Sequence, residues 1–220
     1  NQMLYSELQC SDAIHKAVER MGFAEMTEIQ EKTIPVMMAG YDVIAKAPTG
    51  TGKTCAFGIP VAEHIDPEKK YPQAVIMAPT RELAQQIAEE LTELTYFMPE
   101  VQVACVYGGA NMEKQARRLA EGCQIVVATP GRLMDHYKHH SIDLAHVTQV
   151  VLDEADEMLN MGFYKDVRHI IELMKARKSL SMFSATISRE VMDIGWLYQH
   201  NAAEVDVQPV QESSPKIAQY

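Results

Sequence analysis

The sequence predicts an α/β fold, with a mostly parallel central sheet and helices on both faces. Three observations carry this. Short β-branched apolar runs recur along the chain, and helical-period segments separate them. Near-continuous apolar runs suit strands covered on both sides. Strands alternating with helices imply βαβ units, whose crossovers are right-handed. The third observation is bulk: 220 residues, 47% hydrophobic and 23% charged, are ordinary for one globular core.

Two helical stretches come first, 11–21 and 29–39. Ser11 and Asp12 suit the cap of the first, Gly22 its end, and Gly40 the end of the second. The first strand, DVIAKA (42–47), leads through APTGTGKT into a helical segment, CAFGIPVAEHI. Further strands follow at AVIMA (74–78), QVACVY (102–107), QIVVAT (124–129), QVVLD (149–153) and SLSMFSA (179–185). Between them lie helices. Residues 81–97 place Leu83, Ala84, Ile87, Leu91 and Leu94 at helical spacing, and 164–176 place Val167, Ile170, Ile171 and Met174 on one face. Shorter helices are expected at 112–121 and 133–139. AAEVDV (202–207) reads as one last strand, and the polar tail with Pro215 as a linker. The expected organisation is therefore helices over 1–40 belonging to the same domain as 41–208, then a linker over 209–220.

Several classes are excluded by composition. No apolar run approaches the roughly 18 residues that a membrane span needs. NQMLYSELQC has no basic start and apolar block, so no secretory signal is expected. Cys10, Cys55, Cys105 and Cys123 form no CxxC pair and read as reduced thiols of a cytoplasmic protein. His139 and His140 are adjacent, share no helix face, and make a poor metal pair. A net charge of −10 argues against a strongly electrostatic nucleic-acid binder, so any such role must rest on local residues.

The strongest local signal is APTGTGKT, 47–54, between a strand and a helix, the context a phosphate loop requires. Gly50 and Gly52 let the backbone approach phosphate oxygens, and the loop and helix N-terminus supply donors. Lys53 reaches toward β- and γ-phosphates, and the Thr54 hydroxyl suits Mg²⁺. Ala47 stands where this loop usually has its first glycine. A second signal is the acidic run Asp153, Glu154 and Asp156 at the end of a buried strand. Ligands of open α/β sheets sit at the carboxyl ends of strands. Asp153 is placed to hold a metal ion through water, and Glu154 to orient or deprotonate an attacking water. Asp156 fits equally well as an acid favoured at a helix start.

Asp153-Glu154-Ala155-Asp156 resembles the motif that names the DEAD-box ATP-dependent RNA helicases, and other segments follow in that family's order. GFAEMTEIQ (22–30) resembles its adenine-reading Q motif, with Met26 in place of the usual proline, and Tyr5 falls where an upstream phenylalanine is usual. The resemblance implies a RecA-like P-loop domain that takes ATP and Mg²⁺. Its nucleotide site would comprise Phe23, Thr27, Gln30, Thr49, Gly50, Thr51, Gly52, Lys53 and Thr54. Thr54 and Asp153 would serve the metal, and Lys53, Asp153 and Glu154 the chemistry. PTRELA, GG and TPGR resemble RNA-contacting motifs, which implies backbone contacts from Pro79, Thr80, Arg81, Gly108, Gly109, Thr129, Pro130, Gly131 and Arg132. Read alone, PTRELA and TPGR are simple helix caps, and Phe23 is as much a core residue as a base-stacking one. SAT (Ser184, Ala185, Thr186) resembles the motif that couples hydrolysis to strand separation, with Asp156 as its relay. The family's second RecA-like domain has no counterpart in this sequence, so it is expected elsewhere in the full protein, which is expected to be monomeric. A P-loop ATPase acting on protein or DNA, and a non-catalytic RNA-binding module, are the rival readings.

Overall fold

The computed structural model describes residues 2–50 and 52–208; Thr51 and the expected linker, 209–220, lie outside the described residues. The chain opens with a single 3₁₀ turn, Tyr5–Glu7, then α1 (Asp12–Arg20) and α2 (Glu28–Met38). Ser11 caps α1 by accepting from the Ile14 amide, and Gly22 ends it at φ 83°. Thr27 and Gln30 form a capping box at the start of α2. The Thr27 hydroxyl accepts from the Gln30 amide at 3.4 Å, and the Thr27 amide donates to Gln30 Oε1 at 3.0 Å.

Seven strands then alternate with helices: β1 (Val43–Lys46), α3 (Lys53–Glu63), β2 (Ala74–Met77), α4 (Arg81–Leu94), β3 (Val103–Val106), α5 (Met112–Ala120), β4 (Ile125–Ala128) and α6 (Pro130–Lys138). There follow β5 (Gln149–Asp153), a short α7 (Ala155–Met158) that runs through a π turn into α8 (Tyr164–Leu173), β6 (Ser179–Ser184), α9 (Arg189–Tyr198) and β7 (Ala203–Asp206). The strand order is β3-β4-β2-β5-β6-β1-β7, and every pairing is parallel.

Alternate residues of each strand face opposite layers. Val75 and Met77, Val126 and Ala128, Val150 and Leu152 pack against α5, α6, α8 and α9. Ala74 and Ile76, Ile125 and Val127, Val43 and Ala45 pack against α2, α3 and α4. A third apolar cluster joins Tyr5, α1 and α2 to Cys55, Ile59 and Leu94. The N-terminal helices thus pack against α3 and the end of α4 through this cluster, and α2 also contributes Ile29 and Met37 to the second.

Three elements differ from expectation. The helix after the fourth strand starts at Pro130 rather than 133, because Pro is suited to a first helical turn. TPGR is therefore the start of this helix, with Thr129 at its N-cap position. The helix α9 had no counterpart in the sequence reading. Its buried Val191, Ile194 and Tyr198 are interleaved with the exposed Met192, Trp196 and Leu197, which blurs the apolar period. The 81–97 helix stops at Leu94. Among the described residues no helix is long and apolar enough to cross a membrane, and all four cysteines are free.

Candidate nucleotide site and adjoining loops

The strand order brings three segments to one stretch of the carboxyl edge. The phosphate loop leaves β1, the acidic run leaves β5, and Ser184 ends β6 between them, with Lys46 in register with Ser184 and Asp153 with Phe183. Lys53, the first residue of α3, lies over this edge. Its Nζ is 3.3 Å from Asp153 Oδ1, and the two side chains are only 6% and 2% exposed. Lys53 Nζ makes no hydrogen bond among the described residues. Burial pushes the Asp153 carboxyl up, and the neighbouring Glu154 charge adds to this against the pull of Lys53. An ion pair is therefore held out of water with bonding capacity to spare, a costly arrangement unless a further partner joins it.

Glu154 follows in the left-handed region, φ 48° and ψ 52°. Few non-glycine residues sit there, at a cost of about 1–3 kcal/mol. The consequence is positional. The chain turns sharply between β5 and α7, and the Glu154 carboxylate meets Thr49 Oγ1 of the phosphate loop at 3.3 Å. Thr49, Gly50, Gly52, Lys53, Thr54, Asp153 and Glu154 line one cleft of about 150 Å³. Leu83, Gln86 and Glu90 of α4 close its far wall, and these the sequence reading missed. Burial raises the Glu90 carboxyl, opposed by the Thr54 hydroxyl beside it and reinforced by Glu93 and Asp153. A larger cleft of about 780 Å³, beside Tyr71 and Leu144, lies at the opposite, amino end of the strands, away from all these groups.

Asp156 and the Ser184–Thr186 segment form a closed network. Thr186 donates to Asp156 Oδ2 twice, from its amide at 3.1 Å and its hydroxyl at 2.7 Å. Ser184 does not donate to the carboxylate. Its Oγ accepts from the Asp156 amide at 3.0 Å and donates to the Thr186 carbonyl at 2.7 Å. Partial burial works against the Asp156 charge, but the bonds from Thr186 outweigh it, with the Glu157 amide adding to them, and hold the carboxyl below its usual range. Ala185 and Thr186 are exposed.

Gln30 is tied to the phosphate loop. Its Nε2 donates to the Gly52 carbonyl at 3.1 Å, while its Oε1 accepts from the Thr27 amide and the Tyr5 hydroxyl. Gly52, at φ 80°, approaches so closely that a Cβ there would lie 2.6 Å from Gln30 Nε2. Phe23 is not brought to the phosphate cleft. It stands 42% exposed, stacked on Tyr5 with ring centroids 6.2 Å apart.

The neighbouring stretch of the edge, at β2, β4 and β3, carries the other predicted residues. Thr80 caps α4 by accepting from the Leu83 amide at 3.2 Å, beside the buried Pro79. Arg81 is exposed, its guanidinium 4.8 Å from the centre of the Tyr107 ring and beside Gly109. Gly108 and Gly109 are exposed, and Thr129 and Gly131 partly so, whereas Pro130 is buried. Arg132 turns inward. Its Nη1 donates to the Ala110 carbonyl at 2.9 Å and to Gln115 Oε1 at 3.1 Å. Gln115 also bonds the Tyr107 carbonyl and accepts from His136 Nε2 at 2.9 Å. Arg132 thus braces the exposed loop and does not project from it.

The comparison with known proteins falls on the same residues. The family model described as DEAD/DEAH box helicase matches residues 27–194. The chain belongs to that family. It is 45% identical to "ATP-dependent RNA helicase CshA" of Limosilactobacillus reuteri, over 99% of this chain and 44% of that protein. It is 40% identical to "ATP-dependent RNA helicase DeaD" of Escherichia coli (strain K12), over 98% of this chain and 34% of that protein. Among solved structures, a DEAD box protein from the hyperthermophile Methanococcus jannaschii superposes with a TM-score of 0.87 at 38% identity, covering 94% of this chain and 56% of that one. The chain therefore spans less than half the length of these curated relatives. The RecA-like fold expected of a DEAD-box domain holds, with a sheet that is wholly rather than mostly parallel.

Two features of this DEAD-box domain were readable and were not read. Thr27-x-x-Gln30 is the sequence signature of a capping box. His136, buried four residues after Arg132 on α6, faces the same way as it does.

Proposed function

We propose that the chain is the ATP-binding domain of an ATP-dependent RNA helicase that separates RNA duplexes locally and without sequence specificity. The observation that carries this reading is the buried Lys53–Asp153 pair, with Glu154 turned toward the phosphate loop beside it. Lys53 Nζ has unused donors in a desolvated cleft, as a phosphate-binding ammonium needs. Thr54 and Asp153 are the residues that would hold Mg²⁺, which binds through one or two protein oxygens, phosphates and water, so their small number fits. When bound, that ion offsets phosphate charge. Glu154 acts as the base that takes a proton from the attacking water, and Thr49 orients its carboxylate. Thr27, Gln30 and Thr51 complete the nucleotide contacts.

RNA is held through its backbone. The exposed Arg81, Gly108 and Gly109, with Thr80, Thr129 and Gly131, present amides, hydroxyls and one cation, groups that suit phosphate and sugar and carry no base readout. Pro79, Pro130 and Arg132 act by shaping those loops. Asp156 relays the state of the cleft to Ser184, Ala185 and Thr186, whose exposed part meets a second RecA-like domain of the same monomeric, cytoplasmic protein. Residues 209–220 lead to it. Closure of two domains on ATP and RNA couples the two ligands reciprocally. In the full-length protein, Glu154→Gln is expected to keep ATP and RNA binding and to lose turnover. Unchanged hydrolysis, measured with and without RNA, would remove Glu154 from the role of base. Stimulation by DNA as strong as by RNA would favour the rival ATPase reading.

A further inference from the structure

The Gln30 amide is almost fully committed before any nucleotide is present. Its orientation is fixed by chemistry. The Thr27 amide is a donor only, so it must face Oε1, and the Gly52 carbonyl is an acceptor only, so it must face Nε2. A flipped amide would set donor against donor and acceptor against acceptor. The Tyr5 hydroxyl bonds the same Oε1 and must therefore donate to it. A carboxamide oxygen has two lone pairs and its nitrogen two hydrogens. Both lone pairs of Gln30 are filled, and one N–H is left without a partner among the described residues.

The Tyr5 hydroxyl is also well anchored. Tyr5 and Gln30 are each 3% exposed. The Tyr5 amide donates to the Ala24 carbonyl at 3.0 Å, Leu4 bridges to Glu25, and the Tyr5 ring stacks on Phe23. The Cys55 thiol lies against the hydroxyl from the other side, its pKa pushed up to about 12, first by burial. The phenol is held neutral by the same burial, which raises its own pKa. Only a hydroxyl at this position fills the second lone pair; a phenylalanine ring would pack equally and leave it open.

The edges of purines differ where this matters. Adenine offers N7 as an acceptor and its 6-amino group as a donor, whereas a 6-oxo purine offers two acceptors. A glutamine with a free lone pair and a free N–H matches adenine alone. A glutamine with only an N–H left matches the N7 that both share. We propose that Tyr5 is a specificity-determining positioning residue: by occupying the Gln30 carbonyl oxygen, its hydroxyl makes this site read purine N7 and discriminate weakly between 6-amino and 6-oxo nucleotides. This rests on the reading of Gln30 as a nucleotide contact.

The test is a set of ATP and ITP affinities, measured by NMR titration on this chain, for wild type, Tyr5→Phe and Gln30→Ala, with a thermal melt of each. The wild type is expected to bind ATP and ITP within a few-fold of each other. Tyr5→Phe is expected to bind ATP about two- to tenfold more tightly, the worth of one neutral hydrogen bond, and ITP as before. A gain confined to one nucleotide cannot come from damage to the fold. An unchanged ATP-to-ITP ratio in Tyr5→Phe, or an equal change in both affinities, overturns the inference. Gln30→Ala separates the two readings. If it weakens both nucleotides while Tyr5→Phe does nothing, Tyr5 alone is misassigned; if it weakens neither, Gln30 does not read the base at all.

Discussion

Two stretches of one sheet edge are built on opposite principles. At β1, β6 and β5 the buried charges are under-bonded. Lys53 Nζ has an ion-pair partner but, among the described residues, no hydrogen bond, and Glu154 occupies a disfavoured backbone region beside it. At β2, β4 and β3 the buried polar groups are bonded to one another. Arg132 Nη1, Gln115 and His136 bond one another and two loop carbonyls, and of the fully buried side-chain atoms in this network only His136 Nδ1 lacks a hydrogen bond among the described residues. The difference separates two ways of meeting a ligand. On the function proposed above, the first stretch keeps buried bonding capacity for a small anion. On the same proposal, the second uses its capacity to hold a surface rigid, and would present backbone and the exposed Arg81 to a long one.

If that contrast is right, the largest effect belongs to Lys53. Lys53→Ala is expected to weaken nucleotide binding on the order of a hundredfold, about 3 kcal/mol, as when one member of a buried charged contact is lost. The sharper version replaces both partners. Lys53→Met with Asp153→Leu should abolish binding yet unfold in urea no earlier than wild type, because a buried pair is often matched by apolar residues. A marked loss of stability in the double variant would mean the pair serves the fold. On the other stretch the order reverses. Gln115→Ala strips partners from Arg132 and His136 and should cost about 2–3 kcal/mol of stability in urea, with nucleotide affinity unchanged. A parallel fall in nucleotide affinity would erase the contrast.

Asp156 lies between the two stretches in character, and Thr186→Val should cost about 1 kcal/mol. Its carboxyl resonance in NMR should titrate at higher pH than in wild type. The sign follows from the depressed value. Asp156 contributes stability above the unfolded value of 3.8 and loses it as pH falls through the lower folded value. The smallest effect expected is a pH dependence from His136. Burial first, then the Arg132 charge, lowers its pKa below 6.5, so its contribution is complete above 6.5 and is lost as pH falls through the folded value. Urea midpoints between pH 7 and pH 5 should decline less in His136→Asn than in wild type.

Strands were the most legible part of the chain, because AVIMA, QIVVAT and QVVLD are covered on both faces and leave no polar residue to interrupt the run. The phosphate loop was legible because a backbone that must approach phosphate restricts its residues locally. The bracing network was not. Gln115, Arg132 and His136 come from α5 and α6, and no local rule relates a glutamine on one to an arginine on the other. Glu90 was hidden for a different reason. It sits on a helix with Glu82, Glu89 and Glu93, and only the fold shows that it alone of these lines the cleft. Asp156 and Ser184 meet through the Asp156 amide and the Ser184 hydroxyl, while the carboxylate is held by Thr186. The residue pair was readable, but not which atoms would meet.

The positive φ of Glu154 sets fitness against thermostability at a single codon. Glycine would hold that turn without the left-handed penalty of an L side chain, so selection for thermostability alone would favour Glu154→Gly. Such a protein would melt later and lose the carboxylate assigned to water activation. A library of this domain sorted only by heat resistance should therefore enrich glycine at position 154 among its survivors. A second sort for ATP turnover should purge it, and the strain at this residue would then be legible as a conflict between two screens.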